Sequence, residues 1–362
     1  MGIPIVYFRS SSFNCHRFCP QQYLVEYFLG WRGPSNKKAD KGTIVHKVLE
    51  IAAIAKKAAQ DGHKTFIDDV VGETKTADYR AKYLDDLIEK VYYYYTKAFS
   101  HHTWTNKDLE DCKKWTWKAL EINDGMFDPR NMNVVAAEPH FDFEIKEDWA
   151  KYEHELPDGT KLDGYLSMKG TVDLVTDLGD GVYEIIDWKT GKRLDWATGE
   201  TKDQKKLWRD AQLRMYHLAM SHRFPEAKTF LITIYFINDG GPFTVHFQDK
   251  DLPKTKEMIQ KKFEFIKATQ QPTLIKETDP SQAWKCRKLC HAGMTSFEGT
   301  HIEPIKNMRY NRDMTKCEQI KYMIKKKGVE WVVQNYNAPE FNFASYKAPG
   351  SVNELYATTC PF

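Results

Sequence analysis

The sequence has no apolar run approaching the roughly 18 residues that a membrane-spanning helix needs. Its start, Met1-Gly2-Ile3-Pro4, lacks the basic stretch and apolar core of a secretion signal, so export is not expected. Charge of one sign is scarce: 53 Lys and Arg face 50 Asp and Glu, a net of +3. That balance excludes an acidic disordered tail protein and leaves any phosphate binding to a local basic groove. Low-complexity segments and internal repeats are absent, and no Gly-x-x-x-x-Gly-Lys-[Ser/Thr] loop occurs to cradle a nucleotide phosphate. Seven cysteines are an odd number in a chain too large to need disulfide staples. They read as thiols in a reducing cytoplasm, some of them candidate metal ligands.

What is present is enough for a folded core: 362 residues, 41% hydrophobic and 14% aromatic. That length suits a core with a companion region better than one minimal domain. Residues 9–30 read as a polar entry and a helix, and 31–41 as a loop around Gly33-Pro34-Ser35. Helical periodicity follows over 42–60, where Ile44, Val45, Val48, Leu49 and Ala52 share a face, and again near 76–99 and 106–126. The period then changes to two over 134–145. Strand-like runs at 170–176 and 182–189 flank Asp177-Leu178-Gly179-Asp180-Gly181, a hairpin signal. A helix over 203–222, strands at 229–237 and 242–247, and a helix over 251–269 complete the pattern. Thr315-x-x-Glu318 is a capping-box start for a last helical region, and Lys325-Lys326-Lys327 reads as its solvated face. The expected fold is α/β, a central mixed sheet flanked by helices. Three regions are expected: a helical block at 1–130, an α/β core at 131–270, and a cysteine-containing helical extension at 271–362.

Chemistry concentrates in Gly170-Thr171-Val172-Asp173 and Ile185-Ile186-Asp187-Trp188-Lys189. Residues two apart in a strand share a face, so Asp187 and Lys189 project together at the end of an otherwise apolar strand. Folding the hairpin about Gly179-Asp180 brings Asp173 opposite Asp187 to within a residue. Two such carboxylates repel unless a cation or proton lies between them, and a hard divalent ion with oxygen ligands meets that need. A plain Asp187–Lys189 surface salt bridge is the alternative. Glu138, beside Pro139 at a strand end or edge, offers a further carboxylate, or else a solvent-face side chain. His46 lies off its helix's apolar stripe, on the side of Glu50. Gln212 and Tyr216, spaced i, i+4, share a helix face on which a bound strand could rest.

The ordered set His46, Glu138, Gly170-x-x-Asp173, Asp187-x-Lys189, Gln212-x-x-x-Tyr216 resembles the RecB-type branch of the PD-(D/E)xK nucleases. More narrowly, it is similar to the stand-alone exonucleases that accompany CRISPR adaptation and occur in phages. Ser11-Ser12-Phe13…Phe18-Cys19-Pro20…Tyr23 and Gly42-x-x-x-His46 share the likeness, which runs from about Ser10 to His291. The resemblance implies a restriction-endonuclease-like core. It also implies Mg²⁺ or Mn²⁺ on Asp173 and Asp187 with Glu138 and His46, Lys189 as catalytic lysine, and Gln212 with Tyr216 positioning DNA. Lys192, Arg193, Lys205 and Arg209 are candidates for phosphate contact near such a site. The expected activity is a metal-dependent deoxyribonuclease working on linear ends or single strands, in a bacterium or a phage-infected host. A helicase or recombinase is an expected partner.

The resemblance also implies a [4Fe-4S] cluster held by one amino-terminal and three carboxyl-terminal cysteines. Cys286 and Cys290 supply two, Cys19 or Cys15 supplies the amino-terminal one, and the next cysteine after Cys290 is Cys317, far from the usual spacing. The pairs Cys15-x3-Cys19 and Cys286-x3-Cys290 offer another four-thiolate set, suited to a cluster or to zinc, with His291 as a stand-in ligand. The remaining alternative is that these cysteines are unligated, as Cys112 and Cys360 read. Two rival readings stay open: a non-catalytic DNA-binding subunit of a recombination complex, and a zinc or iron–sulfur protein of unrelated function.

Overall fold

Residues 3, 5–79, 83–155, 159, 161–195 and 197–339 are described by the computed structural model; Cys360 lies outside them. The chain opens with β1 (Tyr7–Phe8), α1 (Ser10–Phe18) and α2 (Pro20–Tyr23), which runs on as a π-helical turn over Leu24–Phe28. Helix α3 (Lys37–Gln60) begins five residues before the predicted start, because Asn36 caps it by accepting the Ala39 N–H. A hairpin not expected from the sequence follows, β2 (Thr65–Asp68) and β3 (Gly72–Lys75). A 3₁₀ turn over Thr76–Tyr79 follows it, so α4 (Leu84–Ala98) is shorter than the 76–99 predicted. Helix α5 (Asn106–Glu121) starts at a Thr105–Asp108 capping box.

The period-two stretch at 134–145 is two strands rather than one. β4 (Val134–Ala137) and β5 (His140–Glu144) are separated at Glu138-Pro139, where Glu138 takes a positive φ of 42° and Pro139 has no N–H for a ladder. A second unforeseen hairpin joins β6 (Lys151–Glu155) to β7 (Lys161–Tyr165). The predicted strand at 170–176 is likewise divided, into β8 (Ser167–Thr171) and β9 (Leu174–Asp177), followed by β10 (Val182–Lys189). The helix predicted over 203–222 breaks at Asp210 into α6 (Gln204–Trp208) and α7 (Ala211–Arg223), because the Asp210 side chain accepts the Gln212 N–H and caps the second piece. β11 (Thr229–Phe236), β12 (Phe243–Phe247) and α8 (Leu252–Ala268) fall where the periodicity places them. The carboxyl-terminal region holds the short helices α9 (Ile275–Thr278), α10 (Ala283–Lys288) and α11 (His291–Met294), then α12 (Lys316–Lys327) and α13 (Val329–Asn335). The Thr315–Glu318 capping box starts α12 as expected, and Lys325–Lys327 are exposed in its last turn, where cations favour the helix dipole.

The central sheet has the order β12-β11-β10-β9-β4, with β10 and β11 parallel and the other pairs antiparallel. A smaller sheet, β1-β8-β5, lies outside it. Alternation along β10 sends side chains to opposite sides. Ile186 and Trp188 join a core built with α3, α4 and α5. Ile185 joins another, which gathers α7, α8, the amino-terminal helices and α12–α13. Burying a large apolar side chain on each side contributes about 1.5–3 kcal/mol per residue, so this alternation locks the register of β10. The result is the mixed α/β architecture of three layers that the sequence pattern predicts. Among the described residues, no helix is long and apolar enough to cross a membrane.

Candidate active site at the end of strand β10

The β9–β10 hairpin turns on Gly179, Asp180 and Gly181, all with positive φ. Its register pairs Ile185 with Val175 and Ile186 with Leu174, so the next pair in sequence is Asp187 with Asp173. Asp173 has left the ladder by then. Its carboxylate turns back to accept the Trp188 N–H at 2.8 Å, while its own carbonyl accepts the Glu138 N–H at 2.9 Å. The break at Glu138-Pro139 and the break at Asp173 are therefore tied together, and two acids reach one place because neither stays in its strand.

Asp187 is fully buried. Lys189 Nζ lies 2.8 Å from both of its oxygens. Tyr216 donates its hydroxyl to Asp187 Oδ1 at 3.2 Å, and Gln212 Nε2 donates to the Tyr216 oxygen at 2.7 Å and reaches Asp187 Oδ1 at 3.5 Å. Gln212 and Tyr216 thus grip Asp187 from α7, and Tyr216 is itself buried rather than presented to a passing strand. From the other side of the sheet, His46 Nδ1 on α3 stands 3.4 Å from Asp173 Oδ2. Gly42, one turn earlier, permits that approach: a Cβ there would sit 2.6 Å from Thr190 Oγ1, just beyond Lys189.

These groups perturb one another as a dense charge cluster should. Burial drives the Glu138 carboxyl up to about 8, with the charges of Glu50 and Asp173 adding to the rise. Burial raises Asp187 more than Lys189 lowers it. Asp173 goes the other way: burial is outweighed by His46, then Lys189 and the Trp188 N–H, and its pKa falls. Burial works against the charged forms of His46 and Lys189, yet Asp173 raises the first, and Asp187 with Asp173 the second. The cluster is held together by cationic groups set among carboxylates.

Lys47 and Asp68, not singled out from the sequence, and Glu50, named there only beside His46, complete the surroundings. Lys47 Nζ bridges Glu50 at 2.8 Å and Asp68, in the unforeseen β2–β3 hairpin, at 2.7 Å. Glu50 was legible only as the i+4 neighbour of His46; its proximity to Glu138 is a tertiary fact. Of the basic candidates, Lys192, Lys205 and Arg209 are exposed and make no ion pair among the described residues, while Arg193 stacks on Phe243 with its guanidinium carbon 4.5 Å from the ring centre.

The cysteines also meet. Cys15 in α1 and Cys19 just before α2 are perturbed by Cys290 and Cys286 of the α10–α11 segment, and Cys317 at the start of α12 by Cys19, Cys290 and Cys286. Burial pushes the Cys290 thiol up to about 12, with Glu26, Cys19 and Cys286 adding to it. Cys317 is raised by burial and then by Cys19, Cys290 and Cys286; Cys19 by burial and then Cys286; Cys15 by burial, Glu26, Cys19 and Cys290. All five are free thiols. Cys112 sits apart, fully buried in α5.

Two acids and a lysine converge at the end of a central strand, on a mixed sheet between helical layers, an arrangement able to hold a hard divalent ion beside a fixed positive charge. The model of the PD-(D/E)XK nuclease superfamily matches residues 10–347, and the chain belongs to that superfamily. Its members are nucleases that use divalent metals such as Mg²⁺ or Mn²⁺. No curated protein matches the chain.

Proposed function

We propose that this protein is a metal-dependent exonuclease of the RecB-type branch, acting on linear DNA ends or single strands in recombination, repair or replication within a reducing cytoplasm. The observation that carries the reading is the meeting of Asp173, Asp187 and Lys189 with Glu138 and His46. The choice of branch and of end-directed cutting rests on the order of those motifs along the chain and on the cysteine set.

The site suits a hard divalent ion. Asp187 Oδ2 is buried and accepts no hydrogen bond of good geometry, although the Lys189 ammonium is close, which leaves lone pairs facing inward. Asp173 and Asp187 would hold the ion, with Glu138 and His46 beside them. When bound, such an ion supplies Lewis-acid stabilisation of charge on the phosphoryl group and an acidified water. The rest is done by the chain. Lys189 would offer a full positive charge to the reacting phosphate, and Gln212 and Tyr216 hold Asp187 from α7 before substrate arrives. Lys192, Lys205 and Arg209 offer phosphate contacts along the approach.

Cys19, Cys286, Cys290 and Cys317 suit a [4Fe-4S] cluster, with Cys317 in the place of the third carboxyl-terminal ligand despite its distance in sequence. Each is perturbed by, or perturbs, the other three. Four thiolates suit a cubane cluster or tetrahedral zinc, and the order of the cysteines along the chain favours the cluster. Its part would be to staple α1–α2 to the carboxyl-terminal region, away from the chemistry.

The test is digestion of end-labelled linear single- and double-stranded DNA, beside circular DNA, with Mg²⁺ or Mn²⁺, against folded Lys189→Ala protein. Metal-dependent shortening of linear DNA alone, lost in the variant, is the expected result. Cutting of circular DNA would overturn the end-directed reading. Binding without cutting by both proteins would overturn the enzymatic one and favour a scaffold subunit.

A further inference from the structure

We propose that Asp40, His101 and His102 form a second metal site, for a zinc-class divalent transition ion, which fastens the α4–α5 turn to the start of α3. The inference does not depend on the nuclease reading. Among the described residues, these three alone bring ligand atoms of three His, Cys, Asp or Glu side chains within 4.8 Å of one another.

Asp40 occupies the first turn of α3 and is completely buried. His102 Nε2 lies 2.7 Å from its Oδ2, and His101 Nε2 lies 3.6 Å from the same oxygen. Both imidazoles therefore turn the same kind of nitrogen toward one carboxylate, their ring centres 4.0 Å apart. The second oxygen, Asp40 Oδ1, is buried with no hydrogen-bond partner. A buried carboxylate oxygen left unanswered is costly, and this one belongs to the same carboxylate whose other oxygen both histidines face. A carboxylate and two imidazole nitrogens are a donor set suited to zinc and its neighbours rather than to magnesium.

The site is assembled before any ion arrives. Lys37 donates to the Thr103 carbonyl at 2.6 Å, and the Trp104 indole donates to the Phe99 carbonyl at 3.0 Å, so the turn that carries both histidines is anchored from either side. Ser35 contributes a carbonyl 3.3 Å from His101 Nε2, a further oxygen at the rim. His101 is 39% exposed, which provides an entry path from solvent, whereas His102 is 15% exposed. Asp40 and His46 are six residues apart on one helix, roughly 9 Å along its axis and about a third of a turn around it. The two centres are therefore separate, but they share a rigid element.

Equilibrium dialysis of the full chain against Zn²⁺ tests the site, with Asp40→Asn and the double variant His101→Ala/His102→Ala dialysed alongside. Zinc held by the cysteines or by the nuclease centre is common to all three proteins, so the difference isolates this site. The unaltered protein should retain one more equivalent of zinc than either variant. The corresponding Co²⁺ difference spectrum should show ligand-field bands without sulfur charge transfer. Zinc at about a 100-fold excess over its Kd should also raise the Tm of the unaltered protein by roughly 3 °C more than that of the variants. Equal stoichiometry in all three, or a difference spectrum carrying sulfur charge transfer, overturns the proposal. Should the double variant fail to fold, His101→Ala alone decides, since that exposed ring contributes little to packing; retention of the full equivalent by that protein overturns the proposal equally.

Discussion

Gly42→Ala should separate catalysis from stability in this protein. The added methyl would lie 2.6 Å from Thr190 Oγ1, 3.7 Å from Thr190 Cβ and 3.8 Å from Cγ2. Thr190 is buried, so its side chain has little room to turn away from the contact. Relief to an ordinary separation of about 3.5 Å requires α3 to retreat from the end of β10 by about 1 Å. His46 rides on the same helix one turn later, 3.4 Å from Asp173. A retreat of that size lengthens the contact beyond hydrogen-bonding reach and slackens the group that holds Asp173 charged. Misplacement by about 1 Å in a catalytic constellation costs on the order of 100-fold in rate. Stability changes less, because overpacking costs about 1–3 kcal/mol while exchanging glycine for alanine in a helix returns about 0.5–1 kcal/mol. Initial rates on end-labelled linear DNA with Mn²⁺, read beside thermal unfolding by circular dichroism, measure both effects. Activity within about threefold of the unaltered protein would refute the idea that Gly42 serves the approach of α3 to Thr190.

The remaining predictions concern the charges themselves. Tyr216→Phe removes one donor from Asp187 at a cost of about 1 kcal/mol; metal affinity, measured from the Mn²⁺ dependence of cleavage, should fall about tenfold, and an unchanged dependence would show that the tyrosine does not orient the acid. Glu138 holds its proton up to about pH 8 in the folded, metal-free protein and only to its ordinary 4.5 when unfolded. The folded state then binds more protons across that window, so its contribution is fully present below about pH 4.5 and is lost as pH rises through 8. Denaturant unfolding without metal should show a slope of that sign, flattened in Glu138→Gln; a slope unaltered by the substitution would refute the assignment. Metal binding at pH 7 should correspondingly release a proton, seen as a buffer-dependent heat in calorimetry. Anaerobically purified protein should be brown; Cys317→Ser should abolish that colour and lower the Tm, whereas Cys112→Ser should leave the colour intact, and colourless unaltered protein would refute the proposed cluster.

How much of this was written locally can be read from particular residues. The hairpin sequence from Asp177 to Gly181 requires a turn with positive φ, and the register it sets in β9 and β10 brings Asp173 to within a residue of Asp187. The alternation of β10 places Asp187 and Lys189 on one side, and Thr315 with Glu318 starts a helix wherever that helix packs. Turns, caps and periods depend on neighbours within a few residues, which is why they are legible.

What brings distant segments together is not of that kind. Helix α3 could pack its apolar stripe in several registers; its close approach at Gly42 selects the one that carries His46 to Asp173. The period of two across 134–145 runs through Glu138 without interruption, yet the chain breaks there because Pro139 cannot extend a ladder and Glu138 binds the Asp173 carbonyl. Gln212 and Tyr216 were recognisable as one helix face, but only the seating of α7 beneath β10 turns that face onto Asp187. Cys317 joins Cys19, Cys286 and Cys290, and Asp40 meets His101 and His102, through contacts between segments far apart in sequence. Residue type and spacing determined the chemistry this chain carries. Burial of two apolar layers against one twisted sheet decided which of those groups meet, because that energy is collected over many residues and no short stretch of sequence records it.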